Sequence, residues 1–71
     1  MNIESPVSGV VLQILVAPGD EITVDQEVAI IESMKMELPV LAETAGIVDS
    51  ILVAEADVVE EGEVLIALKS S

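Results

Sequence analysis

The sequence of 71 residues lacks cysteine, histidine and all three aromatic residues. Without Cys and His there can be no disulfide bond, no thiolate or imidazole metal site, and no Cys or Ser–His nucleophile. Most enzyme chemistry depends on one of these groups. We therefore expect no catalytic residues and no metal-binding residues, and we expect that the protein is not an enzyme.

Basic residues are also scarce, since 2 Lys or Arg residues stand against 14 Asp or Glu residues and give a formal net charge of −12. A charge of this sign is repelled by nucleic acid phosphates and by anionic membrane surfaces. No apolar run reaches membrane-spanning length, and no basic leader follows Met1. We expect a soluble, cytoplasmic monomer that binds neither nucleic acid nor membranes.

Apolar residues make up 52% of the chain, which is too many for a disordered acidic segment. Most are Val and Ile, whose branched side chains favour β-strands. The pattern predicts an all-β fold, formed by one domain over residues 1–71. The predicted strands lie in the apolar runs Val10–Val16, Glu27–Ile31, Leu38–Leu41, Ile47–Ala54 and Val64–Leu68.

An internal repeat becomes visible when the chain is aligned with itself at a shift of 37 residues. Residues 9–17 then align with residues 46–54, and Asp20 aligns with Asp57. Two similar halves of about four short strands each predict a quasi-two-fold barrel or sandwich, in which each half covers the apolar face of the other. The side chains expected inside are Val11, Ile14, Val16, Val48, Ile51 and Val53.

The turns of the two halves differ in their glycines. A one-residue slip is expected in the second part of the repeat, so that Glu27 aligns with Glu63. If these turns need a positive φ, the non-glycine partner is strained by about 1 kcal/mol or the turn type differs. The pairs concerned are Gly19 with Ala56 and Gly62 with Gln26.

The segment Glu32-Ser33-Met34-Lys35-Met36 departs from the residue preferences of a tight hairpin turn. A hairpin at this point is expected to have Asn, Asp or Gly at its centre, because the favoured two-residue turn has positive φ at both central residues. This chain has Met34-Lys35-Met36 there instead. Such departures are expected at functional positions, so we regard the segment as a candidate site.

Lys35 is the candidate for covalent modification, because the other lysine, Lys69, lies near the C-terminus. A primary amine can form a stable amide, and a four-carbon stem on a protruding turn lets another active site surround it. Met34 and Met36 are flexible and polarizable, which suits packing into a partner's groove. Spacing alone leaves an alternative open, in which both Met residues belong to the core and Lys35 points outward.

The motif Glu-Ser-Met-Lys-Met-Glu at residues 32–37 resembles the attachment motif of the biotinyl and lipoyl domain family, which usually reads Ala-Met-Lys-Met. The resemblance covers nearly the whole chain and is strongest to the small biotin/lipoyl attachment proteins. It implies a flattened barrel of two four-stranded antiparallel sheets, with Lys35 exposed on a hairpin. The other similar motifs are Pro6-Val7-Ser8-Gly9, Pro18-Gly19-Asp20 and Ala45-Gly46-Ile47-Val48.

The resemblance also implies a carrier function, with biotin joined to Lys35 and carrying carboxyl groups between carboxylase active sites. Met34 and Met36 would be recognised by a biotin protein ligase, and Glu32 and Ser33 would be the flanking part of the motif, with Ser33 in place of the usual Ala. The implied partner beyond the ligase is a biotin-dependent carboxylase. Lipoyl domains more often have Asp-Lys-Ala, so the two Met residues favour biotin. The alternatives are lipoate on Lys35 and an unmodified interaction module.

Overall fold

The chain folds into two antiparallel sheets of four strands each, which face one another and form a flattened barrel. The computed structural model describes residues 2–69. The all-β prediction is thereby confirmed. The strands are β1 (Asn2–Glu4), β2 (Gly9–Ile14), β3 (Glu21–Ile22), β4 (Glu27–Ser33), β5 (Met36–Leu41), β6 (Gly46–Ile51), β7 (Val58–Val59) and β8 (Val64–Leu68).

The two sheets have the strand orders β5-β4-β2-β7 and β1-β8-β6-β3. We call the first the hairpin sheet, because it contains the β4–β5 hairpin with Lys35, and the second the opposite sheet. Each sheet contains strands from both halves of the chain, so neither half forms a sheet alone. The three shortest strands, β1, β3 and β7, were not predicted, because two or three residues are too few to show a period of two.

The core lies between the sheets and is aliphatic. Of the six side chains predicted to be inside, Val11, Val16 and Val48 are buried, whereas Ile14, Ile51 and Val53 are half-buried and pack against the core. Ile14 and Ile51 are the last residues of β2 and β6, and Val53 lies after β6. The largest fully buried side chains are Ile22, Ile31, Leu65, Ile66, Val11, Val28, Val40, Val48 and Val59.

The repeat holds at 37 residues throughout, so the predicted one-residue slip is wrong. The Leu15 N–H donates to the Val28 carbonyl at 2.9 Å, and the Leu52 N–H donates to the Leu65 carbonyl at the same distance. Each of these four residues lies 37 positions from its counterpart. The slip was suggested by the similar sequences after Glu27 and after Glu63. The register of the backbone pairing is set by the β-bulges, however, and not by the similarity of the side chains.

The turns follow the same register. Gly19 and Ala56 correspond, and both have positive φ, 93° and 77°. Gly62, with a φ of 87°, corresponds to Asp25, with a φ of 71°. The prediction that Gly62 corresponds to Gln26 is therefore wrong. The turn type is therefore the same in both halves, and the non-glycine residue is the strained one in each pair.

Among the described residues there is no helix long and apolar enough to cross a membrane.

The Gly19–Ala56 pair provides a test of this strain. A Cβ at Gly19 would meet nothing within 4 Å, so Gly19→Ala adds only the backbone cost and should lower the free energy of unfolding by about 1 kcal/mol. Ala56→Gly removes the same strain but adds chain entropy to the unfolded state, so it should stabilise by up to about 0.5 kcal/mol. Urea unfolding of both variants measures the effects. A stabilising Gly19→Ala would contradict the shared turn geometry.

Candidate functional site

The candidate site is the turn between β4 and β5. These strands pair down to Ser33 and Met36, which leaves Met34 and Lys35 as a two-residue loop. Met34 has a φ of 52° and Lys35 a φ of 67°, which matches the positive φ that a type I′ turn requires at both positions. Residues with a Cβ pay about 1–2 kcal/mol each for this conformation. The turn has neither Asn nor Gly at these two positions and is therefore strained.

The side chains of the turn lie in solvent. Lys35 is exposed, and Met34 and Met36 retain 91% and 60% of their accessible surface. The alternative in which the two Met residues belong to the core is therefore wrong. Met36 shares the inner face of its strand with Leu38, but it lies beyond the end of the core.

Glu32 and Ser33 form the last part of β4 before the turn, with Glu32 exposed and Ser33 half-buried. Glu32 is paired directly with Glu37 on β5, so the two carboxylates share the outer face of the hairpin. Like charges placed opposite each other destabilise a strand pair. This acidic pair could not be seen in the linear motif, because its detection requires the register of the hairpin.

Gly9 fixes how closely β2 approaches the hairpin. A Cβ at this position would overlap the carbonyl oxygen of Glu32 and would lie 2.8 Å from Cγ2 of Ile31. Its counterpart in the repeat, Gly46, is far less restricted, since a Cβ there would meet only the Leu68 side chain, at 3.4 Å or more. The absence of a side chain at Gly9 therefore allows β2 and β4 to lie this close just before the turn that carries Lys35.

The chemistry available at this site is that of one amine. Within residues 2–69, no group of three acidic side chains is arranged to hold a metal ion. The shallow pocket formed by Asn2, Ile3, Glu4, Glu43 and Thr44 does not include Lys35. An exposed lysine on a protruding turn can be enclosed by another protein and acylated, and the residues around it fit such a modification.

Gly9 and Gly46 form a matched pair for testing the close approach. Gly9→Ala should cost about 1–3 kcal/mol of stability, because the backbone of Glu32 has to move away from the new methyl group. Gly46→Ala needs only a small shift of the Leu68 side chain and should have a markedly smaller effect. Thermal unfolding of both variants compares them, and equal losses of stability would show that β2 and β4 are not this close.

The family comparison matches residues 1–68 to the family described as Biotin-requiring enzyme, the biotin/lipoyl domain. A biotin/lipoyl attachment protein from Bacillus subtilis is 44% identical over 71 residues, which cover 100% of this chain and 97% of the relative. A homologue of the biotinylated protein TB7.3 from Mycobacterium leprae is 38% identical over 64 residues and 90% of each chain.

Among solved structures, urea carboxylase from Kluyveromyces lactis contains a similar domain, with a TM-score of 0.89 and 32% identity. The match covers 97% of this chain and 6% of that protein. The similarity in sequence and in fold thus covers nearly the whole chain. This chain belongs to the biotin/lipoyl attachment domain family and is a carrier domain rather than an enzyme.

Proposed function

We propose that the protein carries biotin on Lys35. The observation that supports this most directly is the strained two-residue turn, which places Lys35 in solvent between two exposed Met residues. A turn that served only to connect β4 and β5 would be more stable with Asn-Gly. Retaining Met34 and Lys35 at a cost in stability is expected if another protein recognises them.

The proposed attachment is an acyl transfer to the lysine amine. Lys35 Nζ, as the free amine, attacks the activated carboxyl carbon of biotin, a C–N amide bond forms, and the activating group leaves with the electron pair of its bond to carbon. The ammonium charge is lost, so the formal net charge changes from −12 to −13. The attached group supplies the carboxyl-transfer chemistry, and this chain supplies position and reach.

Biotin is favoured over lipoate by the names of the relatives and by the two Met residues. One relative, matched over 90% of its length, is named as a homologue of a biotinylated protein, whereas another is named as a biotin/lipoyl attachment protein. Lipoyl domains more often have Asp and Ala beside the lysine, whereas this chain has Met34 and Met36. Lipoate on the same Lys35 is the second candidate, and the mass added to the protein separates the two.

The proposed partners are a biotin protein ligase, which modifies Lys35, and a biotin-dependent carboxylase, which uses the modified arm. The similarity to a domain of urea carboxylase supports the second partner. Holding the cofactor on a protein raises its concentration near an active site only when that site lies within reach. The cytoplasmic location and the monomeric state expected from the sequence stay predictions.

Lys35→Arg tests the attachment site. Arg keeps the charge and a long stem but has no acylable amine under these conditions, so the variant should fold like wild type and accept no biotin from a biotin protein ligase. Lys69→Arg is the control and should be labelled like wild type. Intact mass and peptide mapping measure both. Label on Lys69, or no label where a known carrier domain is fully modified, would refute the proposal.

The two Met residues are expected to contribute to ligase recognition. Because Met34 and Met36 are exposed, Met34→Ala and Met36→Ala should each change the free energy of unfolding by less than about 0.5 kcal/mol. Loss of their apolar contact should slow the ligase several-fold. Initial labelling rates and melting temperatures of the two variants check this, and wild-type rates would show that the ligase does not contact these side chains.

A further inference from the structure

The internal repeat allows the two sheets to be compared position by position, because residues 37 apart occupy equivalent places in the fold. Positions that serve only the fold should carry similar residues in both sheets. Positions that differ in polarity on the outer faces therefore indicate which face has a further role.

The edge strands β7 and β3 show the largest difference. Val58 on β7 is 75% exposed, and its counterpart on β3 is Glu21. Edge strands are normally protected by charged side chains, as Glu21 protects β3. An exposed Val on an edge strand does not protect the strand in this way, and it adds no buried area to the core. The packing of the single chain therefore does not account for Val58.

Val58 belongs to a row of four side chains that crosses the outer face of the hairpin sheet. Val58 pairs with Val10, Val10 pairs with Glu32, and Glu32 pairs with Glu37, so all four point to the same side. The row is apolar on the β7 side and acidic on the β5 side. It lies directly before the Met34–Lys35 turn.

The next row of paired residues on the hairpin sheet also differs in polarity from its equivalent on the opposite sheet. Ile30, which pairs with Pro39, is half-buried on the outer face of the hairpin sheet. The equivalent positions in the opposite sheet hold Ala67 and Asn2. At these positions the hairpin sheet therefore has the more apolar outer face, and its apolar side chains border the acidic pair Glu32 and Glu37 near the turn.

We propose that the outer face formed by Val58, Val10 and Ile30, with Glu32 and Glu37 at its acidic edge, is the docking surface for the ligase that acylates Lys35. This inference rests on the proposed function. The surface on the ligase is expected to be apolar opposite Val58 and basic opposite the two Glu residues, because a chain with a net charge of −12 attracts cationic partners.

The ligase fits this surface better than a carboxylase or a second copy of the chain does. The unmodified lysine has only a short stem, so the enzyme that acylates it has to approach the rows beside the turn, whereas an enzyme that uses the acylated arm can stay further away. A second copy of this chain is a poor occupant, since it has the same net charge of −12 and would bring a second acidic edge to the contact.

The test compares Val58→Glu with Ile47→Glu in labelling by biotin protein ligase. Ile47 corresponds to Val10 but lies on the outer face of the opposite sheet, where it is 41% exposed, so the control adds the same charge elsewhere. Val58→Glu should raise KM about tenfold without changing kcat, which is the effect of losing one well-buried apolar contact. Ile47→Glu should change KM less than about twofold. Val58→Thr keeps the shape of the side chain and should raise KM several-fold if Val58→Glu fails to fold.

The outcomes separate this inference from the proposed function. If wild type is labelled on Lys35 and the Val58 variants keep its KM, the docking surface is refuted while the carrier function stands. Loss of kcat alone would also refute the surface. A wild-type dimer in light scattering that Val58→Glu dissociates without changing KM would assign the face to self-association instead. Absence of label on wild-type Lys35 would refute the carrier function itself.

Discussion

The structure depends on an exchange of backbone hydrogen bonds between the two halves of the chain. The Val48 N–H donates to the Asp20 carbonyl, and the Gly19 N–H donates to the Val48 carbonyl. The Val11 N–H donates to the Asp57 carbonyl and the Ala56 N–H to the Val11 carbonyl in the same way. Each central strand therefore completes its pairing with a turn from the other half, and a core without aromatic side chains is closed on both sides.

The β4–β5 turn contains the positive-φ residues Met34 and Lys35, whose equivalent positions in the repeat lie outside residues 2–69. Elsewhere, the positive-φ residues of one half have a positive-φ counterpart in the other, as Asp25 has in Gly62. The strain of Met34 and Lys35 is offset by the paired strands β4 and β5 that hold the turn. The rigid barrel therefore presents one flexible amine at a fixed place. This division suits a carrier, since the barrel needs no chemistry of its own.

Much of this could be predicted from the sequence. The β-branched runs predicted the long strands, the repeat predicted two halves, and the Met-Lys-Met motif in a position that favours Asn or Gly predicted the exposed turn. The two-residue strands β3 and β7 could not be predicted, because their pairing is supplied by β6 and β2 rather than by their own pattern. The one-residue slip in the repeat was predicted wrongly from similar side chains, because the β-bulges that set the register cannot be recognised from the amino-acid composition.

The features around the turn depend on contacts that the sequence does not show. Gly9 is 23 positions before Glu32, and the overlap that excludes a side chain there appears only when β2 and β4 are paired. Glu32 and Glu37 become an acidic pair, and Val58 and Val10 an apolar one, for the same reason. The linear motif predicts the lysine, whereas the surface proposed for a partner rests on strand pairing.

The central claim is that Lys35 carries biotin in the cell. Its most direct test is the mass of the peptide containing Lys35, taken from the protein isolated from the cells that produce it naturally. The account predicts that this peptide carries the mass of one amide-linked biotin and that the peptide containing Lys69 carries none. A Lys35 peptide that is unmodified in all of the isolated protein, or that carries lipoate instead, would contradict it.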